Sequence, residues 1–263
     1  MHNNCAFILD TETTDASFKD DTVPGLVELG VLALSHDVSS VQKLYTTESV
    51  SVFNFKPYKP IAYGAMAVHG ITNGHAIGWP PQEELVVPVQ PTDYIIGHNI
   101  DFDWKVLGSP DVKRICTLAM IRNLWPELDS HKLLAFVYYC APEVASSLFS
   151  QAHGTAADVV LTGVTLRAIL EKLCTKIDSW EHLWEFSEHC RVPLTIDFGK
   201  HAGMLMKDVP ISYCNWLAAL LDKDAYFFKA LFQGRPLGQL KSFAAHPSVS
   251  PVAASVLKLL IEG

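Results

Sequence analysis

The sequence predicts an α/β protein with a mixed central sheet flanked by helices, followed by a small α+β module. Three observations carry this prediction. The apolar run Phe7-Ile8-Leu9 leads straight into Asp10-Thr11-Glu12-Thr13, and a short apolar run is the pattern of a buried central strand. Two more strand patterns, 26–34 and 50–56, precede any strong helix, which predicts an antiparallel meander of three strands. Beyond them lie short apolar strands and helical periodicities, the longest over 155–173.

The polar stretch 14–25, with Asp15, Asp20, Asp21 and Pro24, reads as a loop. Pro57, Pro60, Gly64, Gly70 and Gly74 break the chain into short turns, with one short helix around 61–67. Tyr94-Ile95-Ile96-Gly97 is a short strand, and a helix follows from near Ile100 with Phe102, Trp104, Val106 and Leu107 on it. Lys113 to Cys116 predicts a further strand. A helix from Thr117 is ended by Pro126, and another runs from His131 to Cys140. In the helix over 155–173, Val159, Leu161, Val164, Leu166 and Leu170 supply the core face.

Near residue 174 the pattern changes, which divides the chain into domains at 1–177 and 178–263. The second segment opens with an amphipathic helix over 178–190, capped by Asp178. A strand, a glycine turn, a second short strand and a helix over 211–221 come next, with further helices near 224–232 and 250–261. Phe198, Tyr213, Trp216 and Leu217 are expected to form the core of this module, and Lys200, His201 and Lys207 around Gly203 are candidates to meet a phosphate backbone.

Hydrophobic residues make up 49% of the 263 residues and charged ones 18%, which excludes a disordered chain. The net charge of −8 argues against a protein that coats nucleic acid with a basic surface, but leaves room for an enzyme acting on it at a metal site. No apolar run reaches the length of a membrane span, and Met1 to Asn4 has no basic flank before an apolar run, so the expectation is a cytoplasmic protein without a signal peptide. The six scattered cysteines, with no Cys-x-x-Cys pair, are expected to be reduced and mostly buried.

In a strand, Asp10 and Glu12 point to the same side. Two carboxylates so placed repel unless a cation lies between them, and oxygen ligands suit Mg²⁺ or Mn²⁺. His98-Asn99-Ile100-Asp101-Phe102-Asp103 follows a strand and opens a helix, adding Asp101 and Asp103 as carboxylates. His153-Gly-Thr-Ala-Ala-Asp158 sets a carboxylate in the first turns of the long helix and a histidine in the loop before it, where proton transfer near neutral pH is accessible.

Taken in order, Asp10-Thr11-Glu12, His98-Asn99-x-x-Phe102-Asp103 and His153-x-x-x-x-Asp158 resemble the three motifs of the DEDDh, or DnaQ-like, 3′→5′ exonucleases. His69-Gly70-Ile71-Thr72 matches a further segment of that superfamily. Ile115-Cys116-Thr117, Phe198-Gly199-Lys200-x-x-Gly203 and Tyr213-x-x-Trp216-Leu217 are similar to its bacterial exonuclease X branch. The resemblance implies a ribonuclease-H-like fold and two Mg²⁺ ions, for which Mn²⁺ can substitute. Asp10, Glu12, Asp103 and Asp158 would hold the ions, with Asp10 bridging them, and His153 would act as general base. Thr13 and His69 would hold the terminal nucleotide. The implied activity is hydrolysis of DNA from 3′ ends to nucleoside 5′-monophosphates. RNA ends are the alternative substrate, and a role as a polymerase-associated or repair subunit is the rival from another class.

Overall fold

The computed structural model describes residues 5–15, 22–42, 46–86, 89–90, 93–149, 154–174 and 177–263. These form two compact units, with the division at Glu188/His189.

The first unit is built on a five-stranded sheet in the order β3-β2-β1-β4-β5. Its strands are β1 (Ala6–Thr13), β2 (Leu26–Leu34), β3 (Ser51–Asn54), β4 (Tyr94–Gly97) and β5 (Lys113–Cys116). β1 pairs antiparallel with β2, and β2 antiparallel with β3, as the meander pattern predicts. On its other side β1 pairs parallel with β4, and β4 pairs parallel with β5, so the sheet is mixed. β1 is the middle strand, and Ile8 at its centre is fully buried. Removing such a strand from water on both faces is what its apolar first half is for.

The helices of this unit are α1 (Tyr63–His69), α2 (Asp101–Val106), α3 (Thr117–Leu124), α4 (Leu133–Cys140), α5 (Pro142–Leu148) and α6 (Thr155–Leu173). α6 is buried along most of its length, with Val159, Leu161, Leu166 and Ile169 at 0% exposure. It packs on β1 and β2. Leu9, Leu29, Ile95, Ile100 and Leu107 form a separate cluster, against which Trp104 of α2 packs. Strand alternation separates Leu9 and Leu29 from Ile8 and Asp10, so the carboxylate face of β1 is the α6 face. Helix α5 was not anticipated from the sequence; Pro142 begins it at a position where a missing N–H costs nothing.

Helix α7 (Trp180–Arg191) runs across the division between the units. Its first two turns belong to the first unit. The Trp180 indole donates to the Ser35 carbonyl (3.0 Å), the Ser187 hydroxyl accepts from the Cys116 amide (2.8 Å), and Glu181 takes hydrogen bonds from Tyr94 and Lys113. The compact division therefore falls later than the change of pattern at 177/178.

The second unit carries α8 (Ile211–Ala218), α9 (Ala225–Phe232), α10 (Leu237–Ala244) and α11 (Pro251–Glu262) around Leu217, Phe228, Leu231, Phe232, Phe243 and Leu257. Asp224 caps α9 by accepting from the Phe227 amide (2.9 Å), and Ser250 caps α11. The strands expected here reduce to one antiparallel bridge, Thr195 with Leu205. The intervening residues turn through Gly199 and Gly203, both at positive φ, and leave no length for a ladder. Trp216 corrects its expected place in the core, since half of its surface is exposed while Leu217 is fully buried. The cysteines also differ from expectation: Cys116 and Cys214 are buried, whereas Cys140 and Cys174 are exposed.

Candidate active site

Asp10 and Glu12 leave β1 on the side covered by α6, and Asp158 stands in the first turn of that helix. One carboxylate oxygen from each of the three lies within 4.8 Å of the others. Such closeness needs the helix to start hard against the sheet, and Gly30 permits it. Gly30 is the β2 partner of Asp10, and a Cβ on it would stand 2.8 Å from the Thr155 Cβ. The start of α6 thus rests on the only kind of residue without a side chain to displace it.

Asp103 lies on α2 and is 5% exposed. Its Oδ1 accepts from the Thr11 amide (3.0 Å) and the Thr11 hydroxyl (2.7 Å). Thr11, between the two strand carboxylates in sequence, therefore fixes the carboxylate of the second motif. Asp101 goes elsewhere: it pairs with Arg114 on β5. Asp103 lines a cavity with Asp10 and Glu12, while the converging oxygens within 4.8 Å are those of Asp10, Glu12 and Asp158.

Glu28 is the residue that sequence reasoning missed. It faces Glu12 across the β1–β2 register, and its Oε1 accepts from the Thr155 hydroxyl (2.7 Å) and amide (3.3 Å). It ties the beginning of α6 to β2. Once β1 and β2 are taken as an antiparallel pair, opposed residues share a face, so a carboxylate opposite Glu12 was findable in principle.

The electrostatics report crowding. Burial is the main reason that the Asp10 carboxyl is raised well above the ordinary range, followed by the charges of Asp103, Asp158, Glu12 and Glu28. Glu12 is pushed up to about 9, again first by burial and then by Asp158, Glu28 and Asp103. Burial lifts Asp103 to about 7 against the lowering effect of the Thr11 hydrogen bonds. Carboxylates crowded together with little water favour protons or cations.

Two cavities border this cluster. One of about 240 Å³ is lined by Asp10, Glu12, Thr13, Asn99, Phe102 and Asp103. The other, of about 720 Å³, reaches Asp158 and is lined also by Arg122, His131, Lys132 and Tyr138. His98 lines both. Burial drives its pKa down to about 4, so it is a neutral imidazole at physiological pH. Its Nε2 donates to the His131 carbonyl (3.0 Å), and its Nδ1 lies 3.1 Å from the Thr117 hydroxyl, which donates to the Gly97 carbonyl (3.2 Å).

Thr13 is buried beside Glu12 and donates its hydroxyl to the Asp15 carbonyl (2.7 Å). His69 stands at the end of α1, and its Nδ1 accepts from the Ile71 amide (3.0 Å) while Nε2 donates to the Thr13 carbonyl (3.2 Å). His69 thus braces the backbone just past the strand carboxylates. His153 lies outside the described residues.

The donor set fits a divalent cation. It is all oxygen, and three carboxylates converge within one ion's reach.

No family model matches the chain. Exodeoxyribonuclease 10 of Escherichia coli strain K12 is 26% identical over 172 residues, which span 64% of this chain and 76% of that protein. Among solved structures, exonuclease X in complex with 5′ overhanging duplex DNA aligns with a TM-score of 0.50 at 22% identity, over 69% of this chain and 99% of that one. A zinc-bound complex of E. coli exonuclease I with single-stranded DNA also aligns at 0.50, with 18% identity, over 73% of this chain and 45% of that one. At these identities the structural matches speak for the fold. Sequence likeness to exodeoxyribonuclease 10 and a fold shared with exonuclease X together make this chain similar to the DnaQ-like 3′→5′ exonucleases.

Proposed function

We propose that the chain hydrolyses DNA from 3′ ends and releases nucleoside 5′-monophosphates. The convergence of Asp10, Glu12 and Asp158 carries this reading. These three and Asp103 would hold two divalent cations, Mg²⁺ or in its place Mn²⁺. When bound, the cations supply positive charge to the phosphate oxygens and the leaving 3′ oxygen, and make water a stronger acid. Four carboxylates match the charge of two such ions.

The protein's own part is placement. β1 fixes Asp10 and Glu12, Thr11 fixes Asp103, and Glu28 with Gly30 fixes the helix that bears Asp158. Thr13 and the His69 that braces it would border the terminal nucleotide in the smaller cavity. Arg122 and Lys132 in the larger cavity suit the phosphates that precede it. His153, which precedes α6 in the sequence, would take a proton from the attacking water.

The preference for DNA rests on the likeness to proteins named for, or crystallised with, DNA. A cytoplasmic location accords with that likeness; among the described residues no helix is long and apolar enough to cross a membrane. The decisive assay incubates end-labelled single- and double-stranded DNA and RNA with Mg²⁺, Mn²⁺ or chelator. Metal-dependent release of mononucleotides from DNA 3′ ends is expected. Cleavage that persists in chelator or proceeds only from 5′ ends would overturn the proposal, and faster cleavage of RNA would reassign the substrate.

A further inference from the structure

We infer that the second unit binds single-stranded nucleic acid through a base-stacking platform formed by Trp216 and Tyr213 with Lys200 and His201. Two independent observations lead there. The first is charge. Residues 189–263 hold eight Lys or Arg and five Asp or Glu, net +3, whereas residues 1–188 hold 12 and 23, net −11. A polyanion meets repulsion over most of the catalytic unit and attraction at the second. Charge asymmetry of this kind between parts of a chain points to nucleic acid.

The second observation is the geometry around Gly199. Trp216 is 50% exposed although it is one of the largest apolar side chains in the unit. Its ring stacks on Tyr213 with centroids 4.9 Å apart and planes 27° from parallel. The His201 ring meets Tyr213 edge-on at 4.6 Å, and the Lys200 ammonium lies 5.0 Å from the Tyr213 centroid. Gly199 makes the arrangement possible. Its φ is +68°, and a Cβ there would fall 2.6 Å from the Tyr213 hydroxyl. The loop therefore closes onto Tyr213 and presents two adjacent cationic or titratable side chains beside an exposed aromatic stack. An aromatic face for bases with neighbouring cations for the backbone is the composition of a single-strand binding site. Tyr213 packs on the core of the unit and holds the outer ring in a fixed orientation, so little side-chain freedom is lost on binding.

The test uses the full chain in chelator, where binding is read without turnover, and a fluorescein-labelled oligothymidylate of about 16 nucleotides, the upper site size for such grooves. Tryptophan emission should be quenched on binding, and Trp216→Ala should remove part of the quench and weaken affinity roughly 5- to 150-fold, the range for loss of one stacked base. Trp216→Phe should recover most of the affinity. Lys200→Ala should flatten the slope of log K against log salt by about 0.7, one phosphate contact on a single strand. Affinity unchanged in both Trp216→Ala and Lys200→Ala overturns the inference and leaves the exposed ring to a protein partner. The proposal for the catalytic site is read separately, from hydrolysis of a nitrophenyl ester of thymidine 5′-monophosphate. That small ester has no upstream strand, so Trp216→Ala should cleave it at the wild-type rate; loss there would report damage to the fold.

Discussion

The two units use charge in opposite ways. In the first, Asp10, Glu12, Asp103, Asp158 and Glu28 gather at one end of a sheet, and burial holds Glu12 at about 9 and Asp103 at about 7. In the second, cations stand over aromatic rings: Lys200 over Tyr213, and Lys223 over Phe198 at 4.3 Å. The first arrangement is unfavourable until a cation arrives, while the second is stable as it stands. A site that must concentrate divalent cations is poorly suited to attracting a phosphate chain on its own. In the functions proposed above the two tasks fall to different units, and that conflict is the physical reason.

The largest effect that would break this contrast lies in the carboxylates. Asp10→Asn and Asp158→Ala should each abolish metal-dependent hydrolysis while circular dichroism stays that of the parent protein. Turnover at the parent rate in either variant would remove the carboxylates from the chemistry. Next is Gly30→Ala, which should push Thr155 and the start of α6 away and lower activity on the order of 10–100-fold, the range for residues that position ligands. Unchanged activity would show that the approach of α6 to β2 is not what places Asp158.

Stability against pH sharpens the contrast. The folded-state values of Glu12 and Asp103 are raised above their ordinary 4.5 and 3.8. The folded chain therefore holds these protons more tightly than the unfolded one. The resulting stabilisation is complete below pH ~4 and is lost as pH rises through about 7 and then about 9. In chelator the melting temperature should fall across this window, and Mg²⁺ should reduce the fall. A melting curve in chelator that is flat from pH 5 to 9 in scanning calorimetry would contradict the crowding described for this site.

The smallest effect belongs to Asp101. Asp101→Asn breaks a partly exposed pair with Arg114 and should cost no more than about 1 kcal/mol of stability, with activity close to the parent's. Asp103→Asn should inactivate. The reverse outcome would move the second carboxylate motif by two residues.

Much of the catalytic unit was legible because it depends on local periodicity. β2 follows from a mostly apolar stretch of nine residues, and α6 from a helical periodicity sustained over 19. The Asp10/Glu12 pair follows from strand alternation, and the position of Asp158 from helix geometry. The second unit was less legible. Glycine turns replaced its expected strands, α10 was not foreseen, and the Tyr213/Trp216/Leu217 spacing could not say which ring would face outward. Three residues on a helix span more than one side, and only the packing of neighbouring elements selects the buried side.

The sequence by itself determined the central strand, the order of the carboxylate motifs and the acidic balance of the catalytic unit, because these are properties of near neighbours and of composition. Tertiary structure alone decided that Asp103 is held by Thr11, that Asp101 is diverted to Arg114, and that Glu28 and Gly30 seat the helix carrying Asp158. Each of those joins residues far apart in the chain, at distances of a few ångströms. No local pattern encodes such an approach; it arises only when sheet register and helix packing are satisfied together.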